Sequence, residues 1–380
     1  MLRQANAVDF WRGFALTTIF INHIPGIFYA RFTHAKLSLS DSAEIFVFLA
    51  GWALRYMTKS RQGPILHQAR RLGGRAAKLY AAHIITTTIA IATLAASATL
   101  LSNPELLEWH HAGALFNEPL PTHLGLWLLT FQLDYFNILP LYVILMMAAP
   151  IILVIDRYSP YALLLLSVTV YLVTLSAPIR IPTWPLDGQW FFNPLAWQLV
   201  FVLGFLLARE DGPGGYMRHH IVVIRWLSLP IVLISALMVW NGWLPDRTAL
   251  PEPQLVFVSD KTYATPMRLV QFLALVALFT AIYPSIKRAL PSVVEFLSLL
   301  GRHSLLVFCV GSILSLVGFI TKSTHEPDLV LDTVIVVSGI ATMALAAQLA
   351  EWQQQMKIAS LQLLRQIPQA IAQPEPPLVM

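Results

Sequence analysis

Arg12 and His23 stand eleven residues apart in the first apolar stretch of the chain, FWRGFALTTIFINHIPGIFY. In an α-helix that spacing is about three turns, which puts both side chains on one face roughly 16 Å apart. The stretch is long and apolar enough to cross a bilayer. An imidazole inside such a segment is costly, and intramembrane ionisable groups mark function by default. Arg12, at the near boundary, can snorkel toward the headgroups. Two readings stand. One is a cationic anchor with a working imidazole deeper in the membrane; the other is a topology signal followed by a packing histidine.

The second apolar segment opens with LSDSAEIFVFLAGWALRY. Asp41 or Ser40 suits an N-cap, and Glu44 lies about one turn deeper. A hairpin between the two segments brings these carboxylates to the depth of His23. A carboxylate beside an imidazole fixes its tautomer and raises its basicity, which a general base requires. The catalytic candidates are therefore His23, Glu44 and Asp41, with Glu44 ranked as the partner. In the plainer reading Asp41 only caps and Glu44 faces headgroups.

The strongest cationic cluster is QARRLGGRAAKLYAAH, read as an inner loop. Arg71, Arg75 and Lys78 recur at spacings of four and three and share a helix face. Such a face can bind anionic lipid or the phosphates of a cytosolic cofactor. Arg12 and His303 join these three as cofactor-binding candidates. His303, in LGRHSLLVF, sits between Arg302 and Ser304 where a later apolar segment begins. Gly73-Gly74 alone does not make a nucleotide loop.

In THLGLWLLTFQLDYFNILPLY, Trp127, Asp134, Tyr135 and Asn137 cluster near the start of the fourth segment. An aromatic belt explains this composition. So does a sugar-binding surface, where rings stack on C–H faces and amides or carboxylates take the hydroxyls. Glu108, His110, His111 and His123 are not expected to bind metal: adjacent histidines are poor helical chelators, and no cysteine joins them. The single cysteine, Cys309, lies in an apolar run and reads as packing.

These candidates must be positioned by membrane helices. The chain is 57% hydrophobic and 12% charged, against about 25% charged in soluble domains. One large soluble core is excluded. Ten spans are read, at roughly 9–29, 42–58, 79–101, 137–155, 160–178, 192–208, 221–240, 266–286, 303–320 and 329–350. The piece at 124–133 either re-enters the membrane or extends the fourth span. The first span carries His23 and meets no small-residue cleavage site before Arg31, so it is not read as a cleaved signal. Arg3, Arg12, Lys59, Arg61, Arg70, Arg71, Arg75, Lys78, Arg157, Arg209, Arg218, Arg225, Lys287, Arg288, Arg302, Lys357 and Arg365 fall on one side, against Arg31, Lys36, Arg180, Arg247, Lys261, Arg268 and Lys322 on the other. By the positive-inside rule both termini are cytoplasmic. The net charge of +5 is thus a topology signal rather than nucleic-acid affinity. Residues 1–350 form one membrane domain, and 351–380 a cytoplasmic tail with a frayed proline-rich end at 373–380.

Taken together, Arg-x10-His, DSAEIFVFLAGW, the basic stretch, FQLDYFNILPLY, NPLAWQLVFVLGF and LGRHSLLVF resemble the OpgC family of osmoregulated periplasmic glucan succinyltransferases. That family falls within the membrane acyltransferase-3 superfamily, and the resemblance runs from about residue 8 to 320. It implies an all-α protein of about ten membrane helices in a bacterial inner membrane. It implies an O-acyltransferase that moves an acyl group, succinyl above all, from cytosolic acyl-CoA to a periplasmic glucan hydroxyl. Acyl-CoA is then a donor substrate, with no tightly bound cofactor. His23 matches the catalytic histidine and Arg12 the motif arginine. Two departures stand out. The basic element runs Arg71-x3-Arg75-x2-Lys78 instead of RxxR, and Ala50-Gly51 replaces Ser-Gly, which leaves Gly51 as a close-packing position. The competing class is a transporter or flippase of a lipid-linked saccharide. The single dominant histidine and the lack of a visible inverted repeat weigh against it.

Overall fold

The computed structural model describes residues 6–59, 64–246 and 250–371, without the side chains of Lys59, Leu361 and 363–371. Arg3, Arg61, Arg247, the side chains of Lys59 and Arg365, and the end at 373–380 therefore lie outside the described residues.

Polar caps and prolines punctuate the apolar runs into helices. Helix α1 (Ala7–Asn22) starts where the Asn6 side chain accepts the Asp9 N–H. Helices α2 (Ser42–Lys59), α3 (Ile65–Leu100), α4 (Ala114–Asn117), α5 (Pro119–Trp127) and α6 (Ile138–Tyr158) follow. Ser159 caps α7 (Pro160–Ser176) and Asn193 caps α8 (Pro194–Leu207), each with proline in the first helical position, where its missing N–H costs nothing. Then come α9 (Gly212–His219), α10 (Ile221–Asn241), α11 (Pro266–Ala289), α12 (Pro291–Arg302), α13 (Ser304–Ser323) and α14 (Leu329–Ile371). Among the described residues every regular element is helical, apart from one isolated antiparallel bridge between Pro182 and Gln189.

A helix occupies each of the ten apolar spans. Six, namely α3, α6, α10, α11, α13 and Leu329–Ser360 of α14, are long and apolar enough to cross a membrane; α7 and α8 are apolar but shorter. The chain is a multi-pass membrane protein. Its centre is built from Phe20, Trp197, Phe201, Phe205 and Phe272, all fully buried. Helices α2 and α8 cross closely. A side chain at Gly51 would collide with the carbonyl of Phe201, and one at Gly204 with that of Phe48. Small residues at such crossings let helix backbones touch where lipid offers no hydrophobic drive.

Three boundaries differ from the sequence reading, and one alternative that it left open, at 124–133, is decided. Helix α1 stops at Asn22 rather than running to 29, because Pro25 and Gly26, at φ +75°, turn the chain; His23 is its C-cap. The basic stretch is not a loop but the first turns of α3, whose 36 residues exceed a bilayer core of about 30 Å. The piece at 124–133 does not extend the fourth span. Helix α5 ends at Trp127, and positive φ at Leu129 and Tyr135 turns the chain into α6. The Tyr80 hydroxyl donates to the Trp127 carbonyl at 2.9 Å. Since Tyr80 lies twenty residues before the end of α3, the chain from there to the end of α5 returns along α3 by about 30 Å. Finally, α14 runs unbroken past residue 350.

Ion pairs fasten both ends of the bundle. At the end where α1 begins, the buried Asp156 of α6 meets Arg55 of α2 and Arg209 after α8, each at 2.7 Å. At the same end Glu351 of α14 meets Arg302 and His303. At the opposite end Asp332 of α14 pairs with Lys322 and accepts the Phe28 N–H, which anchors the turn after His23. Helix α1 thus starts, and α14 finishes, at the same basic end.

Candidate active site

Two cavities lie one above the other. The upper one, about 730 Å³, is lined by His23, Asp41, Asp134, Tyr135, Asn137, Lys36, Lys261, Phe191 and Phe192. The lower one, about 600 Å³, is lined by Arg12, Arg75, Lys78, Arg302 and His303, with Ala50, Tyr142 and Cys309. Helix α1 joins them, with His23 on the upper cavity and Arg12 on the lower. The wall between them is thin. Ile138 and Phe308 face up while their neighbours Leu139 and Cys309 face down. Phe46 sits in this wall, edge-on to Tyr142 at 5.3 Å and stacked on Phe308 at 5.8 Å.

His23 is held by its backbone. Its N–H donates to the Ile19 carbonyl at 3.0 Å, so the helix end fixes where the ring begins. The ring packs against Tyr135 with centroids 4.7 Å apart, and Nδ1 has no protein partner among the described residues. Neither carboxylate candidate bonds to the imidazole. Glu44 is fully buried away from the cavity: its Oε1 takes Arg268 at 2.6 Å, and Oε2 accepts the Asp41 N–H at 2.9 Å. That is a capping box closed by a cation from α11, and it corrects the pairing of Glu44 with His23. Asp41 does line the cavity. Its Oδ1 accepts the Ala43 N–H, and its Oδ2 meets Lys261 at 2.7 Å and Arg268 at 3.4 Å. Burial opposes ionisation of Asp41, yet Lys261 and Arg268 together hold its carboxyl well below the usual carboxylate range.

The remaining candidates divide by place. Asp134, Tyr135 and Asn137 come to the upper cavity on the turn before α6. Trp127 does not: the residue is 60% exposed and stands outside that lining. Arg75 and Lys78 line both the lower cavity and an adjoining recess of about 310 Å³, whereas Arg71 lines only the recess. Arg12 donates to the Leu49 carbonyl at 2.8 Å, which pins it against α2. His303 Nε2 lies 2.7 Å from the Glu351 carboxylate. Among the described residues no cluster of histidines, cysteines and carboxylates could hold a metal ion.

Sequence reasoning passed over Lys36, Lys261 and Arg268 as mere outward charges. For Arg268 a signal was present, because a cation within an apolar span needs a buried partner. For Lys36 and Lys261 there was none: each sits in a loop whose approach to His23 depends on tertiary packing.

The arrangement can do acid–base chemistry on the upper side and hold a polyanion on the lower side. No curated protein and no solved structure matches the chain. A family model described as OpgC protein matches residues 3–355, and the chain therefore belongs to the OpgC protein family.

Proposed function

We propose that the protein is an inner-membrane O-acyltransferase that moves an acyl group, succinyl in the first instance, from cytosolic acyl-CoA to a hydroxyl of an osmoregulated periplasmic glucan. The chain makes ten crossings with both termini cytoplasmic, and it belongs to the membrane acyltransferase-3 superfamily. Family membership supports the glucan and the acyl group. The positive-inside balance supports the orientation, as does the common end of α1 and α14.

The observation that carries the reading is the pair of cavities on one helix. The lower, cation-lined cavity faces the cytoplasm and takes the phosphates of CoA, for which Arg12, Arg75, Lys78 and Arg302 are suited. The upper cavity faces the periplasm and takes the sugar, with Asp134 and Asn137 to bind hydroxyls and Tyr135 to pack on the ring. A pantetheine arm rises the roughly 16 Å from the level of Arg12 to that of His23 and brings the thioester through the thin wall.

His23 then accepts the proton of the glucan hydroxyl. The hydroxyl oxygen bonds to the thioester carbonyl carbon, the carbon–sulfur bond breaks, and the proton ends on the CoA thiol. Direct attack and an acyl-histidine intermediate use the same imidazole. Rapid mixing separates them, since the second route gives a burst of acylated protein. Asp41 acts through the field it shares with Lys261 and not through a bond to His23.

The test is mass spectrometry of periplasmic glucan incubated with the purified full chain and succinyl-CoA. Glucan gaining succinyl ester supports the reading. Glucan of unchanged mass with every acyl-CoA tried would overturn it.

A further inference from the structure

Between Glu44 and Glu105 the chain carries no acidic residue, although Arg55, Arg70, Arg71, Arg75 and Lys78 all fall there. Other cations at the basic end find carboxylates on distant elements: Arg55 and Arg209 take Asp156, and Arg302 takes Glu351. The first turns of α3 meet no such carboxylate among the described residues. Arg75 donates to the Met57 sulfur at 3.3 Å, and Arg71 and Lys78 have no hydrogen-bond or ion-pair partner among the described residues. All three cations line the recess of about 310 Å³ beside the lower cavity, with Met57, Thr58 and Gln68.

The stripe that holds these cations continues up α3. Residues 71, 75, 78, 82, 85 and 89 follow in steps of four and three, so they lie along one helix face. Above Lys78 the stripe turns apolar, through Ala82 to Ile85 and Ile89, and both isoleucines are exposed. From Lys78 to Ile89 the helix rises about 16 Å, close to half of a hydrocarbon core of about 30 Å. Cations at the foot of an apolar strip one leaflet long match the two parts of a phospholipid. A soluble phosphate would use the cations and leave the strip bare. We propose that the recess holds the phosphate of an anionic phospholipid of the cytoplasmic leaflet, bidentate on Arg71 and flanked by Arg75 and Lys78, with an acyl chain along Ile85 and Ile89. Arg75 and Lys78 also border the lower cavity, so the bound lipid forms part of its rim, whereas Arg71 belongs to the recess alone. A zwitterionic lipid brings its own ammonium and leaves the three cations uncompensated.

Native mass spectrometry of the full chain in neutral detergent tests this with phosphatidylglycerol and phosphatidylcholine of the same acyl chains. Phosphatidylglycerol should bind the more tightly, by about tenfold. Arg71→Gln should weaken its binding by about tenfold and Arg71→Lys by less, because lysine keeps the charge and loses the fork. Lys287→Gln removes an exposed cation at the same end, on α11, and should leave the binding as it is. Excess inorganic phosphate should leave the lipid in place. Equal binding of the two lipids, binding unmoved by Arg71→Gln or weakened as much by Lys287→Gln, or displacement of the lipid by inorganic phosphate or by CoA overturns the inference. The assay contains neither acyl donor nor glucan, so its outcome is independent of acyl transfer.

Discussion

Replacing Glu44 and Arg268 by glutamine, singly and together, tests whether a buried ion pair holds the His23 end of the bundle. The Glu44 side chain is 0% exposed and that of Arg268 is 10%, with their closest atoms 2.6 Å apart. Removing one partner of such a pair costs about 3–5 kcal/mol, because the other charge stays buried and uncompensated. Glu44→Gln should fall near 3 kcal/mol, since the one amide oxygen can still accept either the Asp41 N–H or a bond from Arg268, and Asp41 stays beside the arginine. Arg268→Gln should fall near 5 kcal/mol, since it strands Glu44 and also withdraws a cation from Asp41. The double variant leaves no stranded charge, so its cost should fall short of the sum by about 1.5 kcal/mol or more. Equilibrium unfolding in mixed micelles, followed by the fluorescence of the 11 tryptophans, gives the three values. Costs that add to within about 0.5 kcal/mol would refute the coupling.

His23→Ala should lower kcat by about 10²–10⁴-fold while the purified protein unfolds as wild type does, and unchanged turnover would rule out the proposed base. Arg75→Glu should raise KM for acyl-CoA by about tenfold, a loss of one charged contact, with little change in the dependence on glucan. Arg71→Glu, on the side recess, should raise it less; the reverse order would move the CoA site into the recess. The last prediction concerns pH. Asp41 has its folded value depressed, so its ionised form is fully present at neutral pH and lost only as pH falls through that value. Lys261→Gln removes a cation and raises the value, so activity and stability should begin to fail at a higher pH on acidification than in wild type. Acid limbs that coincide would show that Lys261 does not control Asp41.

Some of this was legible in the sequence, and the reason differs by residue. The Arg12–His23 spacing is a property of one helix, so it survives folding: the two residues end on two cavities that one helix connects. The end of α1 was also written in the chain, as Pro25-Gly26, but the apolar residues beyond it masked the stop. The basic stretch was read as an inner loop, yet it is helical through Gly73 and Gly74. A side chain added at either glycine would meet open space, so neither marks a close packing contact. Glu44 shows the limit of adjacency. The hairpin between α1 and α2 pointed it at His23, yet its partner Arg268 lies 224 residues away on α11. A sequence marks which buried charges need partners but not which distant helix supplies them. Trp127 failed for a similar reason, since only the return of the chain along α3 decides that the end of α5 lies against Tyr80 and leaves Trp127 exposed.

The thin wall at Phe46, Tyr142 and Phe308 has an electrical consequence. On the proposed topology, water can reach it from both sides, so most of the membrane voltage drops across that one layer and not across the full bilayer. A unit charge crossing 100 mV changes in energy by about 2.3 kcal/mol. With the cytoplasm negative, an anionic acyl end passing outward through the wall moves down that gradient, and a neutral acyl group gains nothing from it. The multiply charged body of CoA never crosses. In an energised membrane the forward step for a dicarboxylic donor is then helped by the resting potential, and proteoliposomes with an imposed, inside-negative voltage should succinylate glucan faster than the same vesicles after an ionophore has collapsed it.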